Sequence, residues 1–153
     1  MSRLGNGTAN GTPHAHLTWM SAHARLVLIV EDDKPTSDLL QAAINDERGY
    51  EAVAVHDADE ALEALGRIHP DLLLLDIRLP GMSGLEFYDR VRADARFRSL
   101  PVVFETGSSR ENAQELRDRG IATYIKKPFD IEELVRFMKR LVPPRTAVSR
   151  RAS

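Results

Sequence analysis

Residues 26–33 read LVLIVEDD: five aliphatic side chains run directly into three acids. A continuous aliphatic and β-branched run of this length, without helical spacing, marks a strand buried on both faces, as in a parallel sheet. The same construction recurs at 71–76, DLLLLD, and in a milder form at Pro101–Thr106. Shorter strands are expected at Glu51–Val55 and Ala122–Lys126. Helical patterns lie between them. The first runs from about Pro35 to Glu47, tolerates proline in its opening turn, and stops at Gly49. Its apolar face is read as Leu39, Leu40, Ala43 and Ile44. Asp57–Glu60, Ser83–Glu86, Ser108–Glu111 and Asp130–Glu133 each place a capping residue three positions before a glutamate. These open helices that run to about Arg67, Ala95, Gly120 and Val142. Five strands alternating with five helices imply an α/β fold: a parallel sheet covered on both faces and joined by right-handed crossovers. Alternation alone leaves the strand order open.

The composition sets the bounds. At 153 residues, 42% hydrophobic and 29% charged, the chain suits one globular domain rather than two, and not a disordered or fibrous polymer. With no cysteine, disulfides, thiolate zinc sites and cysteine nucleophiles are excluded. The longest apolar run has five residues, far short of the roughly 20 a membrane helix needs. The first residues lack the apolar stretch of a signal peptide, so a cytoplasmic location is expected. Residues 1–23, rich in Gly, Asn, Thr and His, read as a disordered arm, and Met20 is an alternative start. His14, His16 and Trp19 in that arm acquire no role. Residues 24–142 read as the domain and 143–153, opening on Pro143-Pro144, as a basic flexible tail. Of the 21 bases, one lies in residues 1–24 and three in 144–153, where there is no acid. The middle therefore holds 17 bases against all 23 acids, a net of −6. That sign gives no electrostatic reason to bind nucleic acid, and suggests that some acids are gathered for a cation.

Ligands of an open parallel sheet bind beyond the carboxyl ends of its strands. There the first strand delivers Glu31, Asp32 and Asp33, the third Asp76, the fourth Thr106 and the fifth Lys127. The second offers only His56 and Asp57. Glu31, Asp32 and Asp76 brought together repel one another by roughly 4 kcal/mol per close pair at an effective dielectric near 20. A hard divalent cation with oxygen ligands, such as magnesium, is the natural compensation. Lys127 adds a fixed positive charge and Thr106 a hydroxyl. An anion resting on cation, lysine and hydroxyl is the arrangement phosphoryl transfer requires. A carboxylate can itself be the nucleophile, and Asp76, at the tip of the most apolar strand, is the best placed.

In their order and spacing, LVLIVEDD, DLLLLDIRLPGMSGLEF, PVVFETG and YIKKPF resemble the response-regulator receiver domain, the phosphoacceptor of two-component signalling, over residues about 25–142. The resemblance implies a flavodoxin-like, doubly wound sheet of five parallel strands ordered 2-1-3-4-5. It implies that Asp76 is the phosphorylated aspartate. Asp32, Asp76 and the Arg78 backbone carbonyl would be direct Mg2+ ligands, with Glu31 acting through water. Thr106 and Tyr124 match the switch hydroxyl and switch aromatic, and Lys127 the lysine beside the phosphoryl group. Gly107, Arg78 and Ser108 flank the centre and would tune access and phosphoryl lifetime. Glu105 departs from the pattern, standing where many receivers have an apolar residue.

Such a domain is a switch in a phosphorelay and not an enzyme, beyond promoting its own phosphorylation and dephosphorylation. The resemblance implies a histidine kinase or histidine phosphotransfer protein as donor. Output would come from the face of the fourth helix, fifth strand and fifth helix. No effector domain is expected after Val142, so the downstream target would be another protein, with no direct contact to nucleic acid or membrane. Two rivals use the same residues differently. A phosphate-independent adaptor would bind its partner equally well with or without the phosphoryl group. A magnesium phosphohydrolase of the haloacid-dehalogenase type needs a second aspartate two positions after the nucleophile, where Arg78 stands.

Overall fold

The computed structural model describes residues 23–107 and 110–145. The N-terminal arm with His14, His16, Trp19 and Met20, the expected tuning residue Ser108 and the end of the tail lie outside the described residues. The elements are β1 (Arg25–Val30), α1 (Lys34–Asn45), β2 (Tyr50–Val55), α2 (Ala58–Leu65), β3 (Leu72–Asp76), α3 (Gly84–Ala93), a 3-10 turn (Ala95–Phe97), β4 (Val102–Thr106), α4 (Arg110–Asp118), β5 (Tyr124–Lys126) and α5 (Ile131–Leu141). The strands form one parallel sheet ordered β2-β1-β3-β4-β5, as the resemblance implied.

Residues alternate sides along a strand, so each buried strand feeds two cores. Leu28, Val30, Leu73, Leu75, Val102 and Phe104 meet α2, α3 and α4 through Ala61, Leu65, Phe87, Val91 and Leu116. Val27, Ile29, Leu72, Leu74 and Val103 meet α1 and α5 through Leu40, Ile44, Leu134, Val135 and Met138. β3 is buried along its whole length, which explains its nearly pure leucine.

Local signals place the helix starts. Asp33 caps α1 by accepting from Thr36 N at 3.1 Å, Asp57 caps α2 from Glu60 N at 2.7 Å, and Ser83 caps α3 from Glu86 N at 3.2 Å. The first helix needs one correction. Ser37, Leu40 and Ile44 form its buried stripe, while Leu39 is 56% exposed. One residue along a helix turns the side chain by about 100°, so Leu39 and Leu40 do not share a face. The opening of the expected tail, Pro143–Arg145, is held at the other end of the strands: Pro143 O accepts from Arg25 Nε at 2.8 Å and Arg145 pairs with Asp71 at 3.1 Å.

Candidate functional site

The order reverses between β1 and β3, whose crossovers leave in opposite directions and open a crevice at their carboxyl ends. The strand register decides what faces it. Val30 pairs with Leu75, so Glu31 and Asp76 follow side by side, and Asp76 pairs directly with Glu105. All three continue the alternation of Ile29, Leu74 and Val103, which face α1 and α5. Three acids therefore stand in one transverse row across β1, β3 and β4, at the roughly 4.8 Å spacing of neighbouring strands. Lys127 lies two residues beyond Ile125, the β5 partner of Glu105, and so falls on the same side.

Like charges directly opposite one another on a sheet are destabilising, and Lys127 is the answer to them. Its Nζ lies 2.9 Å from Asp76 Oδ2, 3.1 Å from Glu31 Oε2 and 3.7 Å from Glu105 Oε2. Glu31 Oε1 also accepts from Asp33 N at 3.2 Å, and Asp76 Oδ1 from Arg78 N at 2.9 Å. Asp32 is exposed at the mouth. Glu31, Asp32 and Asp76 each offer a carboxylate oxygen, and these lie within 4.8 Å of one another.

One ammonium cannot neutralise every acid, and the titration behaviour follows. Burial pushes Asp76 up to about 6 despite its bond to Lys127. Burial opposes ionisation of Glu31 too, but its hydrogen bonds with Glu105 and Lys127 and the lysine charge outweigh it and hold Glu31 below the usual range. Glu105, fully buried, is pushed to about 9 by burial and by the neighbouring Glu31. As a carboxylate it finds no hydrogen-bond donor among the described residues; protonated, it donates to Glu31. Burial works against the charge of Lys127, yet Asp76 and Glu31 hold it above its usual range.

The response-regulator receiver model matches residues 27–139. The chain belongs to the response-regulator receiver family. This receiver is 39% identical over 123 residues to the phosphate regulon transcriptional regulatory protein PhoB of Klebsiella pneumoniae, an alignment covering 78% of this chain and 52% of that one. The chain thus spans about half the length of the curated relative it matches. A putative response regulator from Chloroflexus aurantiacus superimposes with a TM-score of 0.70 at 30% identity, over 77% of this chain and 97% of that one. The chemotaxis response regulator CheY4 of Vibrio cholerae does so with 0.70 at 28%, over 78% and 99%.

On the opposite side of the sheet, Thr106 and Tyr124 share the face of Phe104: Phe104 pairs with Tyr124, and Thr106 is the next residue on that side. Thr106 is buried and its Oγ1 donates to the Gly107 carbonyl at 2.7 Å. Tyr124 is half-buried against the α2–α4 core. A Cβ at Gly107 would meet no atom of the described residues within 4 Å. His56 donates its amide to the capping Glu60 at 2.9 Å, and the His69 ring stacks at a tilt on Phe97; neither reaches the crevice. A groove of about 740 Å³ lined by His23, Asn45, Tyr50 and Pro144 shares no residue with it.

Two features of the receiver's centre escape a linear reading. One is the placement of Glu105 opposite Asp76, which only the register reveals. The other is Gly84, whose amide donates to Ile77 O at 2.9 Å. A Cβ there would lie 2.2 Å from the Asp76 carbonyl oxygen. The glycine lets α3 begin directly against the end of β3, a close approach no side chain permits.

Proposed function

We propose that Asp76 accepts a phosphoryl group from the phosphohistidine of a histidine kinase or histidine phosphotransfer protein, and that the receiver thereby switches its affinity for a downstream protein. The observation that carries this reading is the Asp76 carboxylate held by Lys127 at 2.9 Å, with oxygens of Glu31 and Asp32 within 4.8 Å. Near neutral pH, above its value of about 6, Asp76 is mostly ionised and nucleophilic. Arg78 N and Lys127 fix its two oxygens, and each retains a lone pair for attack. As the new P–O bond forms, the P–N bond of the phosphoimidazole breaks and the nitrogen keeps the electron pair.

The donor set is all oxygen and hard, which fits magnesium rather than a soft metal. Asp32, Asp76 and the Arg78 backbone carbonyl would hold it directly and Glu31 through water. Bound there, it would supply the fixed dication that offsets charge on the transferring oxygens. Lys127 supplies the protein's own positive charge to the same oxygens. The phosphoryl group adds acceptor oxygens that the Thr106 hydroxyl can turn toward, giving up Gly107 O. Tyr124, its neighbour on the same face, moves into the space released. The α4-β5-α5 face then carries the output, Arg78, Gly107 and Ser108 tune access and lifetime, and the site of action is the cytoplasm. Among the described residues no helix is long and apolar enough to cross a membrane.

The test is phosphorylation by a labelled phosphohistidine donor, with the acceptor located by mass spectrometry. Label on Asp76, lost with a chelator and absent from Asp76→Asn, is expected. Full labelling of Asp76→Asn refutes the assignment, and unchanged partner affinity after labelling favours the adaptor reading.

A further inference from the structure

Glu105 is the member of the acid row that the proposed chemistry leaves unused. It is fully buried, it pairs across the sheet with Asp76, and neither of its oxygens finds a donor among the described residues, its one hydrogen bond being the proton it gives to Glu31. Its strand neighbours on the same face, Val103 and Ile125, are apolar. A carboxyl group in such a setting costs stability that an aliphatic side chain would not. Its nearest cation is Lys127, whose Nζ donates to Asp76 at 2.9 Å and to Glu31 at 3.1 Å and lies 3.7 Å from Glu105 Oε2, within electrostatic reach but beyond a hydrogen bond. The Lys127 side chain is still 31% exposed, so the ammonium has room to leave that arrangement.

We propose that Glu105 is a positioning residue for Lys127: it closes the third side of a carboxyl cradle, and a phosphoryl group on Asp76 must draw the ammonium out of it. The inference rests on Asp76 being the phosphoryl acceptor. Glu105 and the phosphoryl oxygens compete for one cation, so the cradle biases the domain toward its unphosphorylated arrangement. Strength of phosphoryl retention becomes a property set from β4, one residue before Thr106.

The experiment compares the full chain with Glu105→Met, close to glutamate in size, with Glu105→Leu as a second apolar variant, and with Glu105→Gln. The carbonyl oxygen of glutamine still faces Lys127. The probe is beryllium trifluoride with magnesium, a mimic of the phosphoryl group on a carboxylate, titrated by fluorine NMR. The side-chain ammonium resonance of Lys127 is followed in parallel. The apolar variants are expected to bind the mimic about fivefold more tightly, the size of one modest polar contact between the neutral Glu105 carboxyl and the ammonium. In the free protein their Lys127 resonance should be shifted and faster exchanging. Glu105→Gln should stay within about twofold of the unaltered chain, conserving the resonance. Equal or weaker binding by the apolar variants, or glutamine behaving as methionine does, overturns the inference. If the unaltered chain takes neither the mimic nor a phosphoryl label, the acceptor reading itself has failed and the inference falls with it.

Discussion

Replacing Asp76 by asparagine should make the protein more stable, although it removes a residue bonded to Lys127 and Arg78. Asparagine has nearly the shape and the charge of protonated aspartate, so the variant reports what ionising Asp76 costs the fold. Burial, only partly offset by Lys127, raises this carboxyl from 3.8 to about 6. At 1.36 kcal/mol per unit, the ionised form destabilises the folded state by about 3 kcal/mol above that range. Below about pH 4 the group is protonated in folded and unfolded chains alike, and the two proteins should be equally stable. Between about pH 4 and 6 the unfolded chain ionises at this position while the folded one holds its proton, so the unaltered protein loses stability relative to the variant, both sharing whatever the raised Glu105 contributes. Above about pH 6 the difference is complete. In a domain of this size it corresponds to a Tm higher by roughly 10 °C in Asp76→Asn. Thermal melts by circular dichroism, in chelator, at pH values from about 4 to 8 measure it directly. Magnesium should narrow the gap at pH 8, because a cation stabilises the ionised site and gains less from the amide. A variant less stable than its parent at pH 8, or a gap of equal size at pH 4, would refute the reasoning.

Two further substitutions probe the frame around that carboxyl. Lys127→Met leaves Glu31 and Asp76 without their shared cation and should cost about 1–3 kcal/mol in chelator, the lysine being too exposed for the full value of a buried pair; urea melts that show no loss would mean the acids are compensated elsewhere. Gly84→Ala drives a methyl group into the Asp76 carbonyl and should destabilise by about 1–3 kcal/mol while slowing any phosphorylation of Asp76, and an unchanged midpoint would show that α3 slides away freely.

The fold was legible because each strand buried on both faces shows as an uninterrupted aliphatic run, and because aspartate and serine caps mark where helices begin. The errors fall where a run cannot specify direction. Leu39 and Leu40 are equally apolar, and only the azimuth of α1 decides that the second is buried and the first exposed. The site was legible to the extent that its residues sit at strand ends, since that position follows from a parallel sheet whatever its order. What the linear text withholds is adjacency between strands. Glu105 read alone is an unexplained charge; set opposite Asp76 by the pairing of Leu75 with Phe104, it is a third acid around one lysine.

That placement also explains why a buried acid can persist at a position surrounded by Val103 and Ile125. A carboxyl group isolated among aliphatic side chains would stay neutral and contribute only its desolvation cost. Beside Glu31 it can share a proton, and beside Lys127 it can attract the ammonium, so the same burial that penalises it makes both contacts stronger than they would be in water. The penalty and the function therefore have one cause, the exclusion of water from the β1–β3–β4 row. A variant that opened the row to solvent, without touching any of its acids, should lower Glu105 toward an ordinary carboxylate and loosen Lys127 together. If Glu105 titrates normally in such a variant while the Lys127 ammonium stays fixed, the two are not coupled through the buried row.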